Sequence, residues 1–253
     1  MREIVACFKW VIDEAYIRRG SGGDLDLSAV NYKISDYDRN AIEEAVRLKE
    51  KCGGSITAVT VGVPEATRGI KDALSRGADR AVFIADALFA GLEPSQTASV
   101  LSEAIRAGTQ FDLILCGEGS SDLYAQQVGP RLAEKLGIPC ICYVQKLDVE
   151  GDLLTAERRV EEGVEVVEAK LPALVTVLPD INTPRIPGVK DTLTASKKPV
   201  VTVTAAELKS IAEARLKTTG ITAFRMERSC ERFGTDDKEI TRFVGALRKK
   251  GVI

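Results

Sequence analysis

Histidine is absent from the 253 residues of this chain. With it go the commonest general base, the commonest transition-metal ligand and every Ser-His or Cys-His nucleophile pair. The usual hydrolytic chemistries are therefore not expected. The six cysteines, Cys7, Cys52, Cys116, Cys140, Cys142 and Cys230, include no CxxC pair, which argues against a zinc site and a disulfide scaffold. Cys140 and Cys142 fall on one face of a strand pattern and read as packing. No GxGxxG follows the first strand and no GxxxxGK[ST] occurs anywhere, so neither a typical dinucleotide fingerprint nor a P-loop is on offer. No apolar run approaches the roughly 18 residues needed to span a bilayer. The charged start "MREIVACFKWVIDE" is wrong for a signal peptide, and the expectation is a cytoplasmic protein with no direct membrane insertion. Lys and Arg total 35 against 37 Asp and Glu, so bulk charge gives no reason to expect nucleic acid as a partner.

What is present is a rhythm. "EIVACFKWV" is a β-rich run, and "DYDRNAIEEAVRLKEKCGG" carries Ile42, Ala45, Val46 and Leu48 at helical spacing before a Gly-Gly stop. "SITAVTVG", "RAVFIA", "FDLILCG" and "PCICYVQKL" then alternate as strands with the helical stretches "VPEATRGIKDALSRGA", "PSQTASVLSEAIRAG" and "SSDLYAQQVGPRLAEKLG". Such alternation implies βαβ crossovers and a mostly parallel sheet covered by helices. After residue 148 three β runs follow in succession, "DLLTAERRV", "GVEVVEAKL" and "PALVTVLP", which reads as an antiparallel edge on the same sheet. Residues 182–199 hold three prolines and a glycine and read as an exposed loop with one or two helical turns in "VKDTLTASKK". From Ala205 onward the only strong periodicity is the stripe Ile240, Phe243, Val244 and Leu247, with acids at its start and bases at its end. These boundaries divide the chain into an α/β domain, 1–204, and a C-terminal arm, 205–253.

In open parallel sheets, ligands lie beyond the carboxyl ends of the strands. The first such end offers Cys7, Phe8 and Lys9, and the second Val61 and Gly62. Only the "FDLILCGEGSSD" end is rich in Gly and Ser. There Gly117 and Gly119 let backbone approach a ligand, while Ser120 and Ser121 either bind phosphate or, with Asp122, merely cap the next helix. Gln126 and Gln127 follow.

The segment "CGEGSSDLYAQQVGPRLAEKLGIP" resembles the nucleotide-binding segment of electron transfer flavoprotein β subunits, especially their FixA-like branch. "CFKWVID", "KISDYDRNAIEEAVRLKE", "AVTVG", "ALSRGADRA" and "ERRVEEGVEVVEAKLPALVTVLPDINTPRIPGVKDTLTASKKP" agree with that family in the same order over roughly residues 1–200. The resemblance implies an adenine nucleotide α-hydrolase-like α/β fold and a chain with no catalytic residues of its own. The chemistry would belong to flavin.

In that family the β subunit binds AMP or, in bifurcating and some FixA-like members, a second FAD, and its α partner carries the main FAD. Carried onto this chain, nucleotide contacts fall at Cys7, Lys9, Ser35 and Val61, and along Gly117, Gly119, Ser120, Ser121, Asp122, Ala125, Gln126, Gln127, Val128 and Gly129. AMP-binding members carry Asn-Gln-Thr-Gly where this chain has Gln126-Gln127-Val128-Gly129, and Gln127 to Pro130 match the Gln-Val-Gly-Pro of the bifurcating members. Those members also carry Asp-Gly-Asp-Thr where this chain has Asp122-Leu123-Tyr124-Ala125, so FAD is favoured over AMP and both stay open. The 182–199 stretch matches the family's recognition loop, with Arg185, Val189 and Lys190 facing an acyl-CoA or related dehydrogenase. The arm would embrace the α subunit, the other reading being that its apolar stripe packs on the chain's own domain. The implied function is an electron shuttle to a downstream acceptor, with or without electron bifurcation. The other reading is a stand-alone adenine-nucleotide-binding protein of the universal-stress or ATP-pyrophosphatase-like class.

Overall fold

The computed structural model describes residues 2–20, 24–209, 213–222 and 230–253. It divides into two compact units, residues 1–18 with 26–221 and residues 19–25 with 222–253.

The first unit is built on one nine-stranded sheet. In chain order the strands are β1 (Arg2–Cys7), β2 (Gly54–Gly62), β3 (Arg80–Ala85), β4 (Leu113–Gly117), β5 (Cys140–Glu150), β6 (Leu153–Val160), β7 (Gly163–Lys170), β8 (Ala173–Val177) and β9 (Val200–Val203). They lie side by side as β7-β6-β5-β8-β4-β1-β2-β3-β9. The helices are α1 (Asp36–Cys52), α2 (Thr67–Ser75), α3 (Pro94–Gly108), α4 (Val128–Leu136) and the short α5 (Val189–Ala195). The central strands bury both faces, which is why they read as unbroken apolar runs instead of alternating ones. Ile4, Ala6, Ile56 and Ala58 pack on one face with Ile42 and Ala45 of α1 and with Ile70 and Leu74 of α2. Val5, Val59, Ile114 and Leu174 pack on the other with Val100 and Ile105 of α3 and Leu132 of α4. The α/β class expected from the alternation is the one observed.

The chain fills β1, β2 and β3 outward in one direction, then returns to lay β4 against the opposite side of β1, in the register Ile4 to Leu113 and Ala6 to Leu115. The sheet order therefore reverses between β1 and β4. Neighbouring helices leave that point on opposite faces and open a crevice there.

Three expectations need correction. The run "PALVTV" is no antiparallel edge: β8 inserts in parallel between β4 and β5. Only β6 and β7 extend the sheet antiparallel. The reason is burial, since all five residues of β8 are inaccessible, as a strand covered on both faces requires. The helix expected from Ser120 starts only at Val128, because Tyr124 (φ 46°) and Gln126 (φ 56°) take left-handed conformations that no helix contains. The cysteine pair at 140 and 142 is only half-buried, Cys140 packing against the α3 and α4 face of the core from its margin. In addition, Val200–Val203, not anticipated as a strand, pairs in parallel with β3 at the far edge.

The 182–199 loop is fastened at both ends. Asn40 on α1 donates to the carbonyls of Pro179 (3.0 Å) and Asn182 (2.8 Å), while the Asn182 side chain donates to the Asn40 carbonyl (3.0 Å) and Glu44 (2.9 Å). Arg185 spans Glu43 and Glu50 at 2.8 Å each. Lys198 donates to the carbonyls of Leu74 (2.8 Å) and Ala78 (2.6 Å) at the end of α2. Between these anchors Ile186 and Val189 are 92% and 80% exposed. Residues 205–221, assigned to the arm from sequence, belong to the first unit, where Ala205 and Leu208 pack against the α3 side of the core.

The second unit holds α6 (Asp237–Lys249), started by Asp236, whose carboxylate accepts from the N–H groups of Lys238 and Glu239. It buries no residue. Phe243 meets Phe233 edge-on at 5.3 Å, and Arg242 lies over the Phe233 ring at 5.0 Å. Residues 210–212 and 223–229 of the expected arm lie outside the described residues. Among the described residues no helix is long and apolar enough to cross a membrane.

Candidate nucleotide site

A cavity of about 1500 Å³ opens at the switch point, within the first unit. Its floor is made of strand ends: Cys7 to Trp10 after β1, Val61 to Val63 after β2, and Cys116 to Gly119 at and after β4. The 118–127 loop and the start of α4 form one wall, and Phe89 to Pro94 with Thr218 and Ile221 form the other. Thr218 is held there by its N–H, which donates to Glu93 at 2.6 Å.

One buried side chain ties the two strand ends together. Asp38, in the first turn of α1, accepts from the Lys9 N–H (2.9 Å) through one carboxylate oxygen and from the Gly117 N–H (3.0 Å) through the other. Burial pushes its pKa up to about 7, against the lowering effect of those two donors and of the Lys9 charge. Asp38 thus sets the width of the crevice by bridging β1 and β4.

The Lys9 side chain runs the other way, over the mouth, and pairs with Asp122 at 2.6 Å. Burial alone would raise the Asp122 carboxyl, but Lys9 and Ser120 hold it below the usual carboxylate value. Arg68 and Lys217 also line the cavity. The loop between Gly117 and α4 is kept irregular by local contacts. The Tyr124 hydroxyl donates to Glu118 at 2.5 Å, and its ring lies 5.3 Å from that of Tyr37. A β-carbon on Gly119 would come within 2.7 Å of the Tyr124 ring, so only glycine lets the loop fold over on itself here.

At α4 the site gains an electrostatic end. Gln127 precedes the helix without capping it, its side-chain oxygen accepting instead from Arg131 at 3.0 Å. Among the described residues no side chain accepts from the N–H groups of Val128 and Gly129 at the start of α4, where the helix carries partial positive charge. Gly129 lets this end sit close to the sheet, since a β-carbon there would meet the Thr176 methyl at 2.5 Å.

Of the residues expected to contact nucleotide, Cys7, Lys9, Val61, Gly117, Gly119, Ser120, Asp122, Ala125, Gln126, Gln127, Val128 and Gly129 line this one cavity. Ser35 and Ser121 do not. They sit behind the wall, where the Ser121 N–H donates to the Ser35 hydroxyl at 3.2 Å. Sequence reasoning missed Asp38, Glu118 and Arg68. The acid in "SDYDRN" was visible as a helix start, but its role depends on two strand ends that are distant in sequence. Among the described residues no group of three or more His, Cys, Asp or Glu is placed to hold a metal ion.

Uncapped amide donors, nearby cations and mobile-length polar side chains form a donor set suited to phosphate, and strand ends at a switch point suit a nucleotide. The sequence model of the electron transfer flavoprotein domain matches residues 24–208, which include β2 to β9 and every helix of the first unit. This chain belongs to the electron transfer flavoprotein domain family.

Proposed function

We propose that this chain is the β subunit of a heterodimeric electron transfer flavoprotein of the FixA-like branch, and that its switch-point cavity holds FAD. The observation that carries the choice of FAD over AMP is the cavity's size. At about 1500 Å³ it exceeds the roughly 300–1,000 Å³ of ordinary small-molecule sites and leaves room well beyond a mononucleotide. The first N–H groups of α4, with Ser120 and Lys9, are the groups suited to the phosphates. Asp122 would yield Lys9 to them. When bound, the flavin supplies one- and two-electron transfer, and this chain's part is to hold it, exclude water and present it.

Two surfaces support a partner-dependent role. The fastened loop projects Ile186, Val189 and Leu193 outward, an arrangement that fits docking of a flavin-dependent dehydrogenase, with Lys190 beside them. Arg185 holds the loop's base through Glu43 and Glu50. The α6 stripe, with Ile240 and Phe243 half-exposed, fits a contact with an α subunit carrying its own FAD. Two flavins in one heterodimer would open a route to electron bifurcation.

The test is to purify the chain with and without an α subunit, record the visible spectrum, then release and identify the bound nucleotide. Flavin absorbance and FAD released from this chain support the proposal. AMP as the sole released nucleotide would reduce the site to a structural one, and no nucleotide with either preparation would overturn the assignment of the cavity.

A further inference from the structure

We propose that Cys140 and Cys142 form a modification site, a vicinal dithiol that a hydroperoxide converts reversibly into an intrachain disulfide. The two Sγ atoms lie 3.6 Å apart, already at contact distance, on a strand whose alternation puts both on one face. The strand is irregular at this point. Ile141 pairs with Val175 and Val144 with Val177, so Cys142 and Tyr143 together face the single residue Thr176. Tyr143 absorbs the extra residue with φ 63° and donates its N–H to the Thr176 hydroxyl at 3.2 Å. A bulge of this kind turns side chains out of the regular ladder. Both thiols remain half-buried, hence reachable by a small oxidant, whereas Cys7 and Cys116 are 6% and 5% exposed.

The environment separates the roles of the two sulfurs. The contact with Cys140, the Thr176 hydroxyl and the Arg158 charge together hold the Cys142 thiol well below its ordinary pKa, while Cys140 is raised. Cys142 is then the attacking thiolate. Its sulfur takes the distal oxygen of the hydroperoxide, the O–O bond breaks, and the alcohol leaves with a proton. Cys140 next attacks the resulting Cys142 sulfenic acid. The S–S bond forms, the S–O bond breaks, and the departing hydroxide takes the Cys140 proton as water. Two thiols lose two electrons and one peroxide gains them. Cys116, by contrast, is raised by the neighbouring Cys7 and by burial, and stays a thiol.

The test uses the full chain treated with dilute hydrogen peroxide, blocked with iodoacetamide and digested with trypsin. Cleavage after Lys135 and Lys146 leaves both cysteines in one peptide, 136–146. The expected result is loss of two hydrogens from that peptide, no alkylation of it, and recovery of both thiols with dithiothreitol. In Cys140→Ser, a sulfenic adduct with dimedone should accumulate at Cys142 several-fold above wild type, since nothing resolves it. Full alkylation of the wild-type peptide after peroxide would overturn the proposal, as would a link between the Cys7 and Cys116 peptides in its place. So would equal dimedone labelling in both proteins.

Discussion

Replacing Asp38 by Asn tests whether a buried acid bridges β1 and β4 at the floor of the cavity. The side chain keeps its shape, but one of the two oxygens that accept from Lys9 and Gly117 becomes an NH₂ facing an N–H donor. That mismatch costs about 1–3 kcal/mol and does not vary with pH. The charge adds a second, pH-dependent effect. The folded pKa of about 7 lies above the unfolded value of 3.8, so the native state holds the proton more tightly. The stability this confers is complete below the unfolded value and is lost as pH rises through the window up to about 7. The full loss is on the order of 4 kcal/mol, more than half of it between roughly pH 5 and pH 8. Urea unfolding of both proteins across that range, at constant slope, isolates it. The variant is expected to be less stable at the acid end and to lose that disadvantage, in whole or part, towards pH 8. A wild-type-minus-variant difference that stays flat with pH, or grows in the opposite direction, would refute a desolvated carboxyl whose pKa is raised to about 7.

Gly119→Val should drive the Tyr124 ring from its place on Glu118, deform the 118–127 loop and strip the purified chain of nucleotide; retention at wild-type stoichiometry would sink the placement of the site. Val189→Ala, at an 80% exposed position, should change stability by less than about 0.5 kcal/mol. If Val189 is a docking anchor, the same change should slow reduction by the partner dehydrogenase by about ten-fold, equivalent to about 1.4 kcal/mol of lost interface. A fall in melting temperature with unaltered transfer would show a folding role instead. Ending the chain after Ile221 removes residues 222–253 of the second unit, whose helix buries nothing, so far-UV circular dichroism should keep its α/β form while copurification with an α subunit is lost. A stoichiometric complex with the shortened chain would contradict the proposed use of α6.

The stretches most legible in the sequence are those whose signal is local. The helix over 36–52 announces itself by Ile42, Ala45, Val46 and Leu48 at helical spacing and by the glycine that ends it, because a helix closes its hydrogen bonds within its own segment. Glycine and serine at the end of β4 likewise marked a place for close backbone approach. The same local reading failed where partners are distant. It put "PALVTV" at an edge, since a buried parallel strand and an edge strand look alike until their neighbours are known. It ran a helix through Tyr124, whose left-handed backbone is held by Glu118 and Tyr37.

The amino-acid sequence alone determined the alternation of strands and helices, the lack of imidazole chemistry and the glycine- and serine-rich segment that lines the cavity, for each depends on residue type and short spacing. Only the tertiary structure decided that β1 and β4 become neighbours at a reversal of strand order, that Asp38 is buried between them and that Thr176 on β8 stands opposite a bulge at Cys142 and Tyr143. Those arrangements arise from packing helices on both faces of one sheet, which brings together residues tens of positions apart and removes them from water, and no local pattern records which will meet.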